Sequence, residues 1–238
     1  MAHPAAVKRF WKEVTVEQAE GGWRVALDGR ALKTQGGAPQ IVPSRALAEL
    51  LAAEWSAQGD EVDPARFAMR DMADYAIDRV APDPSTTVGK VLRYAETDTL
   101  CYRADPDEPL HKRQWTEWEP IVTAFETREG VRLERVSGIV HKPQPAATLA
   151  TIKARLEAFD PFTLAALETL ASLSASLCVA LSALDADADR QALWAAAELE
   201  ETWQVELWGS DYLAEERRER RRADFLRAAD FADAAAAG

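Results

Sequence analysis

Trp23-Arg24-Val25-Ala26-Leu27-Asp28-Gly29-Arg30-Ala31-Leu32-Lys33-Thr34 decides the fold class. Two strand-like runs flank Asp28-Gly29, a dipeptide suited to a two-residue hairpin turn. The register this turn sets puts Val25 opposite Leu32 and Trp23 opposite Thr34, on one face. To either side, Val14-Thr15-Val16 and Gln40-Ile41-Val42 offer neighbouring strands. Three or four strands with one apolar face are marginal alone and need a cover.

The cover lies downstream, where helix takes over. Ser44 is placed to cap a helix over 45–57, in which Leu47, Leu50, Leu51, Glu54 and Trp55 form the periodic pattern. Further helices are expected over 70–80, 86–97, 111–128, 146–159, 161–184, 189–208 and 212–231. Pro161 follows Asp160 at a favoured first-turn position. In the helix it opens, Leu164, Leu167, Ala171, Ser174 and Cys178 follow core spacing, and small Ser and Ala positions allow close helix approach. Residues 131–139 offer a short strand, and residues 234–238 read as a frayed end. The fold class is therefore α+β. A small β-rich N-terminal domain (residues 1–44) packs against a larger, mainly α-helical C-terminal domain (residues 45–238), with no internal repeat and no flexible linker between them.

Composition narrows the function classes. The 238 residues are 47% hydrophobic and 29% charged, ordinary for a globular chain with ample length for a core. A net charge of −12 argues against nucleic acid as a partner, since phosphate binding needs a basic footprint. Acidity instead suits attraction to a basic protein surface. Cys101 and Cys178 have no CxxC spacing, and with only His3, His111 and His141 neither a disulfide scaffold nor a zinc site is expected. Two reduced, buried cysteines are the plain expectation. Residues 162–184 form the longest apolar stretch, but Glu168, Thr169, Ser172, Ser174, Ser176 and Ser182 rule out a membrane span. The opening residues lack the apolar core of a signal peptide, so bacterial cytoplasm is expected, with the mitochondrial matrix after processing as the alternative.

Motifs for catalysis are missing. There is no GxGxxG after a strand, no phosphate loop and no GxSxG elbow. His111 and His141 lack a Ser or Cys setting that suggests a nucleophile. Asp71, Asp74 and Asp78 share roughly one helical face. They suit a cation, or more simply a solvated face or a helix-terminus contact. The basic run at 217–222 reads as a solvated helix with local ion pairs, Glu216 with Arg220 among them, or as a docking patch for an acidic partner.

The chain's oddest segment is Leu199-Glu200-Glu201-Thr202-Trp203-Gln204-Val205-Glu206-Leu207-Trp208-Gly209. At roughly 100° per residue, Leu193, Glu200, Gln204 and Leu207 fall within about 60° of one another. A carboxylate and an amide thus interrupt what should be an apolar face, and such groups need partners. Two readings stay open. Glu200 is a structural carboxylate bonded to Gln204 or a backbone amide, or it belongs to a protein interface with Trp208 and Trp194 as apolar anchors. An arginine or a backbone edge would suit such a carboxylate.

The Leu199-Glu200 … Gln204 … Trp208-Gly209 pattern resembles the closing signature of the assembly chaperones for the alpha subunit of the F-type ATP synthase head. Arg9-Phe10-Trp11-Lys12 and the Leu27-Asp28-Gly29-Arg30 … Lys33-Thr34 hairpin resemble that family's opening. Glu54-Trp55 … Gln58, Ala76-Ile77-Asp78 and Thr97-Asp98-Thr99-Leu100-Cys101-Tyr102-Arg103 follow in the family's order. Gln114, Trp118-Glu119-Pro120, Gly138-Ile139 and Gln144 complete the series. Two departures bear on local turn geometry. Gln35 stands where the family usually has proline, and Phe67-Ala68 where it often has Met-Pro. The resemblance implies the two-part fold above and a chaperone that binds the free alpha subunit, preventing its aggregation until it pairs with the beta subunit. It also implies that Glu200 matters for function.

The expected partner-binding residues are therefore Glu200, Gln204, Trp208 and the adjoining Glu201. Gln204 is expected to orient Glu200 and Trp208 to pack beside it. No cofactor, metal or catalytic residue is expected, nor membrane insertion, and nothing demands more than a monomer. The alternatives are an adaptor for another protein partner, or a metal-dependent hydrolase built on Asp71, Asp74, Asp78 or His141.

Overall fold

The computed structural model describes residues 7–138, 142–209 and 211–238. His3, Ile139 and His141, named above, lie outside the described residues. The hairpin forms as its turn chemistry requires, with φ of 48° at Asp28 and 75° at Gly29. Strand β2 (Gly22–Leu27) pairs antiparallel with β1 (Val14–Ala19) on one side and with β3 (Arg30–Ala31) on the other. Leu32 N–H donates to the Val25 carbonyl at 3.0 Å, which gives the expected Val25–Leu32 pairing. Asp28 also works beyond the turn. Its carboxylate accepts the Glu13 amide at 2.8 Å and the Lys12 amide at 3.0 Å, and these bonds hold its pKa below the ordinary value.

Trp23 corrects the register. It pairs with Val42, exchanging N–H···O bonds of 2.9 and 2.8 Å, and not with Thr34. The chain peels away after Leu32 because the 34–40 turn is held elsewhere. Thr34 Oγ1 donates to Asp78 at 2.7 Å, and the Gln35 amide donates to Asp74 at 3.0 Å.

Helix α1 (Arg45–Ser56) covers the sheet. Ser44 caps it as expected, accepting from the Leu47 amide at 2.9 Å, and its hydroxyl donates in turn to the Ala234 carbonyl. The C-terminal end is therefore not frayed. Helix α10 (Tyr212–Ala236) runs past the expected stop, and Ala234 and Ala235 are buried against the sheet side of the molecule.

Between them run α2 (Ala68–Tyr75), which continues as a π-helical turn over Ala76–Val80, and α3 (Pro84–Glu96). Strand β4 (Tyr102–Arg103), α4 (Pro109–Glu129), β5 (Val136–Ser137) and α5 (Ala146–Glu157) follow. The short strand anticipated over 131–139 is thus two residues long, parallel to β4. Glu54, from α1, accepts the Met69 and Arg70 amides at 2.7 and 2.9 Å and so caps the start of α2.

Two of the three longest expected helices are each broken in two. Residues 161–184 form α6 (Pro161–Ser174) and α7 (Leu177–Ser182), separated by Ala175 at φ 50°. The buried carboxylate of Asp98 organises that break. It accepts from Ser176 Oγ at 2.7 Å, the Cys178 amide at 2.9 Å and the Leu100 amide at 3.0 Å. Burial raises the Asp98 pKa, and these bonds oppose the rise. Residues 189–208 form α8 (Arg190–Ala197) and α9 (Leu199–Trp208), with the turn at Glu198. Trp118 Nε1 takes the Ala196 carbonyl at 2.7 Å, an acceptor that a continuous helix would offer to the amide of residue 200.

Helices α6 and α10 knit the core. Leu164 and Phe225 pack in a large helical cluster with Trp118 and Phe125, whereas Ala166 and Phe231 join Val25, Val42, Leu47 and Leu51 beneath the sheet. Cys101 and Cys178 are both buried in the helical cluster. Among the described residues no helix is long and apolar enough to cross a membrane.

Candidate functional site

Helix α9 is held from two sides. On the α4 side, Glu200 Oε1 accepts from Gln114 Nε2 at 2.7 Å. Gln114 is fully buried, and its Oε1 takes the Ala104 amide at 2.8 Å, so one amide side chain ties a loop to α9. Arg113 bridges Glu117 at 3.0 Å and Glu206 at 2.7 Å, with its guanidinium 5.8 Å from the Trp203 ring centroid.

On the α10 side stands the basic run. The expected Glu216–Arg220 pair forms at 2.9 Å, but the run is more than a solvated face. Arg218 donates to Thr202 Oγ1 at 2.9 Å and lies 3.6 Å from Glu198. Arg221 reaches Glu198 at 3.3 Å, Glu201 at 3.7 Å and the Leu173 carbonyl at 2.7 Å. Glu198 is buried, which raises its carboxyl pKa, and the neighbouring Glu201 carboxyl adds to the rise. Two of the five arginines in the basic run thus clamp the α8–α9 turn.

The anticipated residues come out differently from one another. Glu200 remains accessible as a residue, yet desolvation of its carboxyl raises its pKa above the ordinary glutamate value, and the Gln114 bond only partly offsets this. Its partner is Gln114, not Gln204, which is exposed. Trp208 does not pack beside Glu200. It lies eight residues on, roughly 12 Å along the helix, and is 78% exposed. Trp194 is a core residue, 5.3 Å from Phe225 between ring centroids. The shared apolar face also fails, because the turn at Glu198 rotates α9 and leaves Leu207 exposed.

What periodicity did not reveal is the elbow between α9 and α10. Leu207, Trp208, Tyr212 and Leu213 are 56%, 78%, 76% and 62% exposed. Among the described residues only Val7, Phe10 and Trp115 are also large, apolar and exposed to this degree. Monomeric proteins seldom leave such side chains grouped without a use.

The Asp71, Asp74 and Asp78 face has a structural task. Asp74 accepts from the Gln35 amide and, at 2.6 Å, from Gln40 Nε2, while Asp78 accepts from Thr34 Oγ1 and, at 2.7 Å, from the Gly36 amide. Asp71 takes Gln35 Nε2 at 3.1 Å. A proline at position 35 would have no N–H for Asp74, so this departure from the family pattern carries a contact of its own. Among the described residues no group of three or more His, Cys, Asp or Glu side chains is placed to hold a metal.

Comparison with known proteins agrees with this architecture. The ATP12 chaperone protein family matches residues 8–126, a segment that stops within α4. The mitochondrial protein atp12 of Schizosaccharomyces pombe is 28% identical over 216 residues, covering 85% of this chain and 74% of the yeast protein. The crystal structure of Atp12 from Paracoccus denitrificans superposes with a TM-score of 0.90 at 33% identity, covering 96% of this chain and 98% of that one. The Atu1473 protein of Agrobacterium tumefaciens superposes with a TM-score of 0.91 at 38% identity, covering 95% and 85%. The two solved structures thus match nearly the whole chain, whereas the family match stops within α4. On these grounds the chain belongs to the ATP12 chaperone family, the assembly chaperones of the F-type ATP synthase.

Proposed function

We propose that this chain binds the unassembled alpha subunit of the ATP synthase head and prevents its aggregation until the beta subunit takes its place. It does so as a monomer and without turnover. The observation that carries this reading is the elbow, where Leu207, Trp208, Tyr212 and Leu213 stand exposed beside a helix braced from both sides. Subunits of an obligate oligomer expose large apolar interfaces before assembly, and a helper must cover them with contacts that can later be exchanged. Trp208 and Tyr212 suit that task as amphipathic anchors at the tip of a rigid support. Glu201 and Gln204 line the same helix, and Glu200 acts by keeping α9 seated on α4. The setting is the bacterial cytoplasm, or the mitochondrial matrix for a processed form.

The test is co-expression with tagged alpha subunit in the absence of beta. The expected result is a soluble complex that dissociates when beta is added. Alpha subunit that aggregates equally with and without this chain would overturn the proposal.

A further inference from the structure

Beside the braced helix runs a groove of about 600 Å³ between α4 and the α7–α8 segment. Its apolar floor comes from Pro120, Ile121 and Ala124 of α4 and from Ala192, Leu193 and Ala195 of α8. Small side chains on the facing helices leave the space unfilled, and Ala124, Ala192 and Ala195 are exposed within it. Pro120 adds a second feature. It has no N–H, so the Thr116 carbonyl one turn earlier lacks its helical donor.

The charge on the rim is mainly negative. Glu117, Asp185, Asp187 and Asp189 line the groove against a single cation, Arg128. That arginine is engaged by Asp185 and, at 2.8 Å, by Glu129. Asp187 has no ion-pair partner among the described residues, and Asp189 is bonded to the neutral Ala192 amide at 3.0 Å. The rim therefore carries negative charge that the chain itself does not neutralise, in a molecule of net charge −12.

We infer that this groove seats an amphipathic helical segment of the client, with a narrow apolar face on the Ala and Pro floor and Lys or Arg side chains directed at Asp187 and Asp189. Two helices with a gap of this kind receive a third by the helix-in-groove mode, in which apolar anchors give affinity and rim charges give orientation. The groove adjoins the proposed alpha-subunit site, since Trp118 bonds to Ala196 at its edge and Arg113 links Glu117 to Glu206 of α9. The inference deepens the alpha-subunit reading and rests on it for the identity of the client.

The experiment uses the full chain and overlapping 15-residue peptides spanning the ATP synthase alpha subunit, with binding followed by fluorescence anisotropy. Peptides that bind are expected to combine an apolar helical face with basic residues. Ala192→Trp, which fills the groove from an exposed position, should weaken them about tenfold. Asp187→Lys, also at an exposed position, should weaken them by roughly threefold or more and reduce the salt dependence. Circular dichroism verifies that both variants fold. The inference is overturned if no peptide binds, if the bound peptides are acidic, or if both variants bind them like the parent. Intact alpha subunit, captured in parallel by the parent and by Trp208→Ala, separates the two proposals. Groove variants that capture it normally while the elbow variant does not would remove the groove and leave the alpha-subunit function standing. A parent chain that captures none would remove that function.

Discussion

Gln114 Nε2 donates to Glu200 Oε1 at 2.7 Å across 86 residues of chain, from a fully buried amide to a glutamate at the surface. The bond makes Glu200 a brace for α9 through one of its oxygens. Because Gln114 also holds the Ala104 amide, deleting its side chain leaves a part-buried N–H and a desolvated carboxyl without these partners. Gln114→Ala should therefore lower stability by about 2 kcal/mol. Amide exchange in α9 should rise more than exchange in α6. Glu200→Gln, which keeps an acceptor for Gln114, should leave both nearly unchanged, whereas Glu200→Lys sets an ammonium against the Gln114 donor. Equal exchange in α9 of the parent and Gln114→Ala would show that the bond does not seat the helix.

The raised Glu200 pKa has a definite sign. A carboxyl that holds its proton more tightly when folded contributes stability that is present below the unfolded value, near 4.5, and is lost as pH rises through the folded value. Glu198, at the α8–α9 turn, has the same sign. Seating of α9 should therefore tighten on acidification from neutrality towards the ordinary glutamate range. Glu200→Gln should flatten part of that dependence and leave the part due to Glu198. Exchange rates of α9 amides, corrected for intrinsic pH effects, measure it. A parent and a Glu200→Gln variant with identical profiles would refute the assignment.

At the elbow, binding and stability should separate. Trp208 and Leu213 are exposed, so Trp208→Ala and Leu213→Ser should change folding stability by no more than about 0.5 kcal/mol. Capture of alpha subunit should fall about tenfold for Trp208→Ala if the tryptophan is an interface anchor. Sedimentation of the complex together with thermal denaturation of the free chain reads both quantities. Loss of capture that tracked loss of stability would point to a fold defect rather than a contact.

Much of the fold was legible where local chemistry decides it. Asp28-Gly29 forces its turn through positive φ, Ser44 caps the helix it precedes, and Pro161 opens its helix directly after Asp160. The breaks at Ala175 and Glu198 were hidden because alanine and glutamate are good helix formers, and partners far away in sequence impose both turns. Asp98 seizes the Ser176 hydroxyl and Cys178 amide 78 and 80 residues downstream, and Trp118 claims the Ala196 carbonyl across 78 residues. The site was half legible. Glu200 stood out because a carboxylate interrupts an apolar pattern. The exposure of Leu207, Trp208, Tyr212 and Leu213 could not be read, since apolar residues on a helix count as core until a break turns them outward.

At the 34–40 turn, the acidic face of α2 suggested a cation. Asp74 is buried and receives the Gln35 amide and Gln40 Nε2, and burial raises its pKa while those bonds lower it. Removing that carboxylate strands two donors at the join between the sheet and α2. Asp74→Ala should cost about 1–3 kcal/mol and release the turn, seen as faster proteolysis within it. Asp74→Asn should cost less, because its amide oxygen still accepts one of the two bonds. A metal site would behave otherwise: EDTA would destabilise the parent, and added divalent cations would raise its melting temperature. With hydrogen bonds to the turn as the task of these carboxylates, chelation should leave the melting curve of the parent where it was.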